Sequence, residues 1–139
     1  GVARETFTQF GEGLRRDYRG TIERFLALEA LGSAHAQSEL RELKAHVFDR
    51  GEPSLAALET GLTELDTVDL RARLPELAVP SLWIAGRRDR LVPPAGPRWA
   101  ASACPYGSYL EFASGHAPFI AHADAMARAI VEFIGGLPT

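Results

Sequence analysis

Apolar residues in the first half of the chain recur at helical spacing. Phe7, Phe10 and Leu14 stand at i, i+3 and i+7, one stripe of a first helix. Gly20-Thr21 predicts a break, after which Ile22, Phe25, Leu26 and Leu28 carry a second helix. Gly32-Ser33 reads as a stop followed by an N-cap. A third helix is expected behind it, with Ala36, Leu40, Leu43 and Val47 on one face and an end at Gly51. Glu52-Pro53-Ser54 restarts the pattern, and Leu55, Leu58, Leu62 and Leu65 line a fourth. Four short amphipathic helices with close loops make a small helical module. No convincing strand occurs before residue 66.

From Thr67 the texture changes. A polar bridge at residues 69–75 leads into two short apolar runs, residues 81–85 and 109–113, with a stretch of helical length at 95–104 between them. Strand, helix, strand at this length predicts a crossover between parallel strands, hence an α/β fold. Residues 123–134 form a last helix with Met126, Ile130 and Phe133 inward, closed by Gly135-Gly136. The boundary falls near residue 66, dividing the chain into 1–66 and 67–139. Parallel strands are normally buried on both faces among neighbours. Left alone, LWIA and YLEFA would expose edges and an uncovered apolar face. Further strands are therefore expected, from an N-terminal half or a second chain.

Composition narrows the classes. With 46% hydrophobic and 24% charged residues the chain has the make-up of a globular domain. A net charge of −3 leaves no basic excess for neutralising phosphates, which argues against nucleic-acid binding. Its single cysteine, Cys104, forms no internal disulfide and no Cys-type metal pattern, and reads as a small buried hydrophobe. No run approaches the length of a membrane-spanning helix, and GVARETFTQF carries no secretory signal. A cytoplasmic location is the expectation. The chain opens on Gly, inside what reads as a helix, which suits a truncated or processed N-terminus.

The candidate chemistry follows the two apolar runs. The first leads into GRRDRLVP, with Asp89, and the second into SGHAP, with His116. Both residues leave the carboxyl ends of neighbouring strands, where open α/β sheets place their sites. An Asp and then a His, each after a strand, fit the last two members of a Ser-Asp-His triad. Gly115 and Ala117 leave the ring sterically free, and Pro118 stiffens the exit from the loop. Arg87, Arg88 and Arg90 are expected to favour the ionised form of Asp89. The third member is missing. No G-x-S-x-G occurs, and the serines at 33, 38, 54, 81, 102, 108 and 114 lie in other contexts. The chain reads as the C-terminal part of an enzyme, inactive by itself.

Plainer readings stand beside these. A lone Asp in a loop is usually a turn former, and His35, His46 and His122 read as ordinary helix or loop residues. A metal site of His116, His122 and Asp124 matches no familiar ligand spacing. Arg24 and Arg41 read as solvated helix-face charges, Gln37 standing at i, i+4 from Arg41. The leucine and phenylalanine stripes are core, some of them free to face an acyl chain.

GRRDRLVP followed by SGHAPF resembles the ends of the last two strands of α/β-hydrolases. TIERFLALEALG, ELRELKAHV, GLTELDTVDLR and GHAPFIAH are more specific. They resemble the biotin-pathway carboxylesterases that hydrolyse the methyl ester of pimeloyl groups on acyl carrier protein. The likeness covers essentially the whole chain. It implies a helical lid at residues 1–66, followed by the last two parallel strands of the catalytic core and their helices at 67–139. It implies Asp89 as the acid and His116 as the base of the triad, no cofactor, and Phe25 as an aromatic facing the acyl chain. It also implies Arg24 and Arg41 as lid arginines that hold the acidic carrier protein. At two further arginine positions of that family stand Gly20 and Gln37, with Arg19 beside the first. Another lidded α/β-hydrolase, an esterase for other acyl groups or a C–C hydrolase, remains an alternative. So does a non-catalytic fragment that binds a partner or swaps strands.

Overall fold

The computed structural model describes residues 4–49 and 51–137. The helical half contains α1 (Arg4–Arg16), α2 (Tyr18–Ala30), α3 (Ala36–Val47) and α4 (Leu55–Thr67). The first break lies at Asp17, three residues before the expected Gly20-Thr21. Asp17 leaves helical dihedrals, with φ −153°, and its carboxylate accepts from the Gly20 N–H at 3.0 Å. A carboxylate that caps a helix satisfies an otherwise orphaned donor, and here that outweighs the helix-breaking tendency of glycine. Gly20 is accordingly the third residue of α2.

Ser33 likewise stands outside the helix it was expected to cap. His35 holds the N-cap position of α3 without a side-chain cap. The Ser33 hydroxyl accepts from the His35 N–H at 3.1 Å and donates to the Glu39 carboxylate, tying the turn to the first turns of α3. Gly51 does supply a left-handed turn after α3, with φ +82°. Ser54 caps α4 by accepting from the Ala57 N–H at 3.2 Å.

α1 packs on α2 and α4, and α2 packs on α3. Leu14, Leu26 and Ala30 are fully buried at these contacts, and Phe10 meets Phe25 with ring centroids 5.0 Å apart. The outer members of the predicted stripes are less covered: Val47, Leu55 and Leu65 are exposed. A 3-10 helix at Arg71–Glu76 occupies the polar bridge.

The second half contains β1 (Ser81–Gly86), α5 (Ala95–Ala103), β2 (Gly107–Phe112), the short α6 (Pro118–Ala121) and α7 (Ala123–Gly135). β1 and β2 are parallel, in register from Ser81 opposite Gly107 to Gly86 opposite Phe112, and α5 packs on both. β2 begins two residues before the apolar run, because the ladder follows its partner rather than hydropathy alone. Among the described residues the sheet has these two strands only. Met126 and Phe133 of α7 are half-buried, but Ile130, Val131 and Ile134 are exposed. The inward face expected for Ile130 is not covered among the described residues. No described helix is long and apolar enough to cross a membrane.

Candidate active site

The loops after β1 and β2 lie side by side because the parallel ladder continues past both strands. Arg87 N–H donates to Phe112 O at 2.8 Å and Arg88 N–H to Ser114 O at 3.0 Å. The approach is so close that a Cβ on Gly86 would overlap the carbonyl of Gly115. A turn closed by Asp89 N–H on Gly86 O, 3.1 Å, then swings Asp89 towards the second loop.

Asp89 is 5% exposed at its side chain and every bond it makes is aimed. Its Oδ1 accepts from the N–H groups of Leu91 and Val92, both at 2.8 Å. Its Oδ2 meets His116 Nδ1 at 2.7 Å. A carboxylate only accepts, so Nδ1 carries the hydrogen and Nε2 is left with its lone pair. This is the tautomer a general base needs. His116 is 32% exposed and lines a cavity of about 560 Å³.

Two arginines of the Asp89 loop bond to groups other than Asp89. Arg87 Nε donates to Glu111 at 2.9 Å, and Arg88 reaches the carbonyl of Gly32 at 3.4 Å. The hydrogen bonds of Asp89 come from backbone N–H groups and His116. Glu111 is held in turn by the Tyr109 hydroxyl at 2.7 Å and Arg98 at 2.7 Å. The hydrogen bond from Tyr109, then those from Arg87 and Arg98, keep its carboxyl below the usual carboxylate range against an opposing effect of burial.

The end of α2 closes on the histidine loop. His116 N–H donates to Glu29 O at 2.9 Å. A Cβ on Gly115 would stand 2.6 Å from Leu31 O and 2.7 Å from Glu29 O, so only glycine allows this contact. Gly32, with φ +93°, presses equally close to the backbone of Arg88. Burial pushes the Glu29 carboxyl above its ordinary value, the charge of His116 pulls it down, and that of Asp89 pushes it up again. Sequence reasoning missed Glu29, although its spacing gives the signal: it stands i+4 from Phe25 and i+3 from Leu26, on the inward face of α2.

Phe25 lines the His116 cavity, together with Phe7, Phe10, Leu28, Leu62 and Leu91. Arg24 is at the same cavity, its guanidinium donating to Thr21 Oγ1 at 2.8 Å and 3.6 Å from Asp17. Arg16, on α1, lines it too and was not singled out by sequence. Arg41 lies elsewhere, in a separate depression at the start of α3 with Ser33 and Ser38. Arg19 is turned away, over the ring of Phe48 and bonded to Glu52 at 2.8 Å. His122 stacks on Phe112, centroids 5.4 Å apart, and His46 pairs with Asp49 at 3.2 Å. Among the described residues no three His, Cys, Asp or Glu side chains stand together as metal ligands. Cys104 is buried at the end of α5.

An oriented imidazole base at an apolar cavity can take a proton from a nucleophile brought beside it. Comparison with known proteins supplies the context. No family model matches the chain. It is 56% identical over 138 residues to a pimeloyl-[acyl-carrier protein] methyl ester esterase of Xanthomonas axonopodis pv. citri, which covers 99% of this chain and 54% of the relative. A protein of the same name from Stenotrophomonas maltophilia is 52% identical over 132 residues, 94% of this chain and 51% of the relative. The chain thus spans about half the length of the curated relatives it matches. Among solved structures, an esterase from Exiguobacterium antarcticum superposes with a TM-score of 0.84 at 18% identity, over 98% of this chain and 50% of that one. An enol-lactonase from Burkholderia xenovorans gives 0.81 at 22% identity, over 94% and 50%. The chain has the fold of part of an α/β-hydrolase and is similar over almost its whole length to the pimeloyl-[acyl-carrier protein] methyl ester esterases, about half of whose length it spans.

Proposed function

We propose that this chain carries the acid and the base of a serine carboxylesterase, with the nucleophilic serine and oxyanion hole supplied by the rest of the protein. The observation that carries the reading is the 2.7 Å bond between Asp89 and His116 Nδ1, which leaves Nε2 as a base at the apolar cavity. In the complete enzyme the serine hydroxyl gives its proton to His116 Nε2 as its oxygen attacks the ester carbonyl. The tetrahedral intermediate collapses, and the same proton passes to the departing alkoxide, releasing methanol. Water then loses a proton to His116 and attacks the acyl-enzyme, freeing the carboxylate and returning the proton to serine. Asp89 fixes the tautomer and stabilises the imidazolium in both halves.

The relatives' name points to pimeloyl-acyl carrier protein methyl ester as substrate, and so to a cytoplasmic step of biotin synthesis. Residues 1–66 act as the lid, with Phe25 against the acyl chain, and residues 67–139 belong to the catalytic core. Arg24, at the cavity, meets the acidic carrier; Arg41, on the outer face of α3, can add to the docking surface only at a distance from the cavity.

The test is labelling of the full-length protein with a serine-directed phosphonate, followed by turnover of methyl pimeloyl esters against other esters. Labelling that His116→Ala abolishes, with preference for the pimeloyl ester, is the expected result. Labelling that survives His116→Ala would sink the catalytic assignment, and faster turnover of unrelated esters would sink the substrate.

A further inference from the structure

Helix α2 turns two neighbouring faces to two different cavities. Thr21, Arg24, Phe25 and Leu28, at i, i+3, i+4 and i+7, face the His116 cavity of about 560 Å³. Ile22, Phe25, Leu26 and Glu29, the same spacing moved on by one residue, face a second cavity of about 590 Å³. Among the described residues Phe25 is the one that lines both, so its side chain stands in the wall between them. The ring is steadied from one side by Phe10 of α1, centroids 5.0 Å apart and planes tilted by 50°. Phe10 itself lines the His116 cavity only.

The apolar walls of the second cavity come from three elements of this chain. α2 gives Ile22 and Leu26, α3 gives Leu43 and Val47, and α6 gives Phe119 and Ile120. A space of this size and lining suits a hydrocarbon chain. Its charged groups are opposite in sign to those of the first cavity: Glu29 and Glu42 line the second, Arg16 and Arg24 the first. His46 also lines the second, where it pairs with Asp49 at 3.2 Å. An anionic group is therefore favoured beside the arginines and disfavoured beside the carboxylates. A neutral hydrocarbon tail is indifferent to both and follows the apolar surface.

We propose that Phe25 is a specificity-determining residue: its ring is the partition that confines the acyl chain to the His116 cavity, and the space behind it is a second apolar subsite for the tail of a longer, neutral ester. With Phe25 in place, a straight acyl chain growing towards α2 meets the ring and stops. With a smaller residue there, the two cavities join and the tail continues between α2 and α3. The inference rests on the esterase reading above and extends it to the length of the acyl group.

The test uses the full-length protein and two neutral substrates, methyl butyrate and methyl octanoate, compared by the ratio of their kcat/KM values. Phe25→Ala is expected to raise the octanoate-to-butyrate ratio about tenfold, the effect of at least one further methylene held in an apolar pocket. Leu43→Phe, which fills the second cavity from α3, is expected to cancel that gain when added to Phe25→Ala. Should either variant not fold, Phe25→Leu replaces the first and Val47→Phe the second. A ratio unmoved by loss of the ring overturns the partition, since a general loosening of the helices slows both esters alike. A gain that survives filling of the second cavity overturns the subsite. If the folded parent turns over no methyl ester, it is the esterase reading that fails. Equilibrium binding of methyl octanoate then decides the role of Phe25 by itself: tighter binding to Phe25→Ala than to the parent, reversed by Leu43→Phe, supports the partition, and equal affinities overturn it.

Discussion

Asp89 accepts three N–H bonds with two oxygens, and each closes a different part of the site: Leu91 and Val92 fix the loop, His116 fixes the base. Replacing it by Asn keeps the shape but puts an amide where only an acceptor fits. In the complete enzyme Asp89→Asn is expected to lower kcat about 10⁴-fold with the fold intact, read by ester turnover beside a thermal melt. A loss below tenfold would mean that Asp89 does not set the tautomer. Glu111 makes a separate, structural prediction. Its folded carboxyl titrates below its ordinary value of 4.5, chiefly through the bond from Tyr109. Its stabilisation is therefore fully present above that value and is lost as pH falls towards the folded pKa. Melting temperatures followed down from neutral pH should fall more steeply for the parent than for Glu111→Gln; parallel curves would exclude Glu111 as a source of acid sensitivity. Asp89 and His116 were legible from sequence because strand-then-polar-loop is a local signal. The partners of Arg87 and Arg88 were not, because which way a long side chain turns depends on what the other half of the fold presents.

At the scale of elements, the contact between α2 and the His116 loop joins the helical half to the chemistry. It is made backbone to backbone, which leaves no room for a side chain. Gly115→Ala places a Cβ 2.6 Å from Leu31 O, and neither carbonyl is the end of a flexible chain. The variant should lose about 1–3 kcal/mol of stability, and its Asp89–His116 hydrogen bond should weaken, seen in the imidazole NMR signals. A variant as stable as the parent would mean that the two halves separate easily. Helices and strands were read correctly because their periodicities are intrinsic to each segment. Their ends were read less well: Asp17 displaced the break from Gly20, and His35 took the cap position from Ser33. Caps are decided by single hydrogen bonds, which hydropathy does not register.

At the scale of the whole molecule, the exposed apolar surface bears on the division of the site. Two parallel strands with open edges, and Val131 and Ile134 on α7, leave apolar and backbone surface exposed among the described residues. Residues 1–139 expressed alone should show no esterase turnover and take no phosphonate label; serine-dependent turnover by this chain would refute the division of the triad. In the complete enzyme, Arg24→Glu should lower turnover of carrier-linked esters far more than of small esters. Equal losses on both would remove Arg24 from carrier docking.

The order Asp then His after two strands, the absence of a nucleophile motif and the helical first half were all determined by the sequence, because each is written in contiguous residues. Tertiary structure alone decided that Asp89 and His116 meet at 2.7 Å, that Arg24 and Arg41 part company, and that the Glu29 carbonyl holds the backbone of His116. Those outcomes depend on how α2 packs against two loops some 60 to 90 residues away in sequence. Chain contacts at such separation are fixed by packing and by the carbonyls and N–H groups left free at element ends, not by the residue types of either segment taken singly.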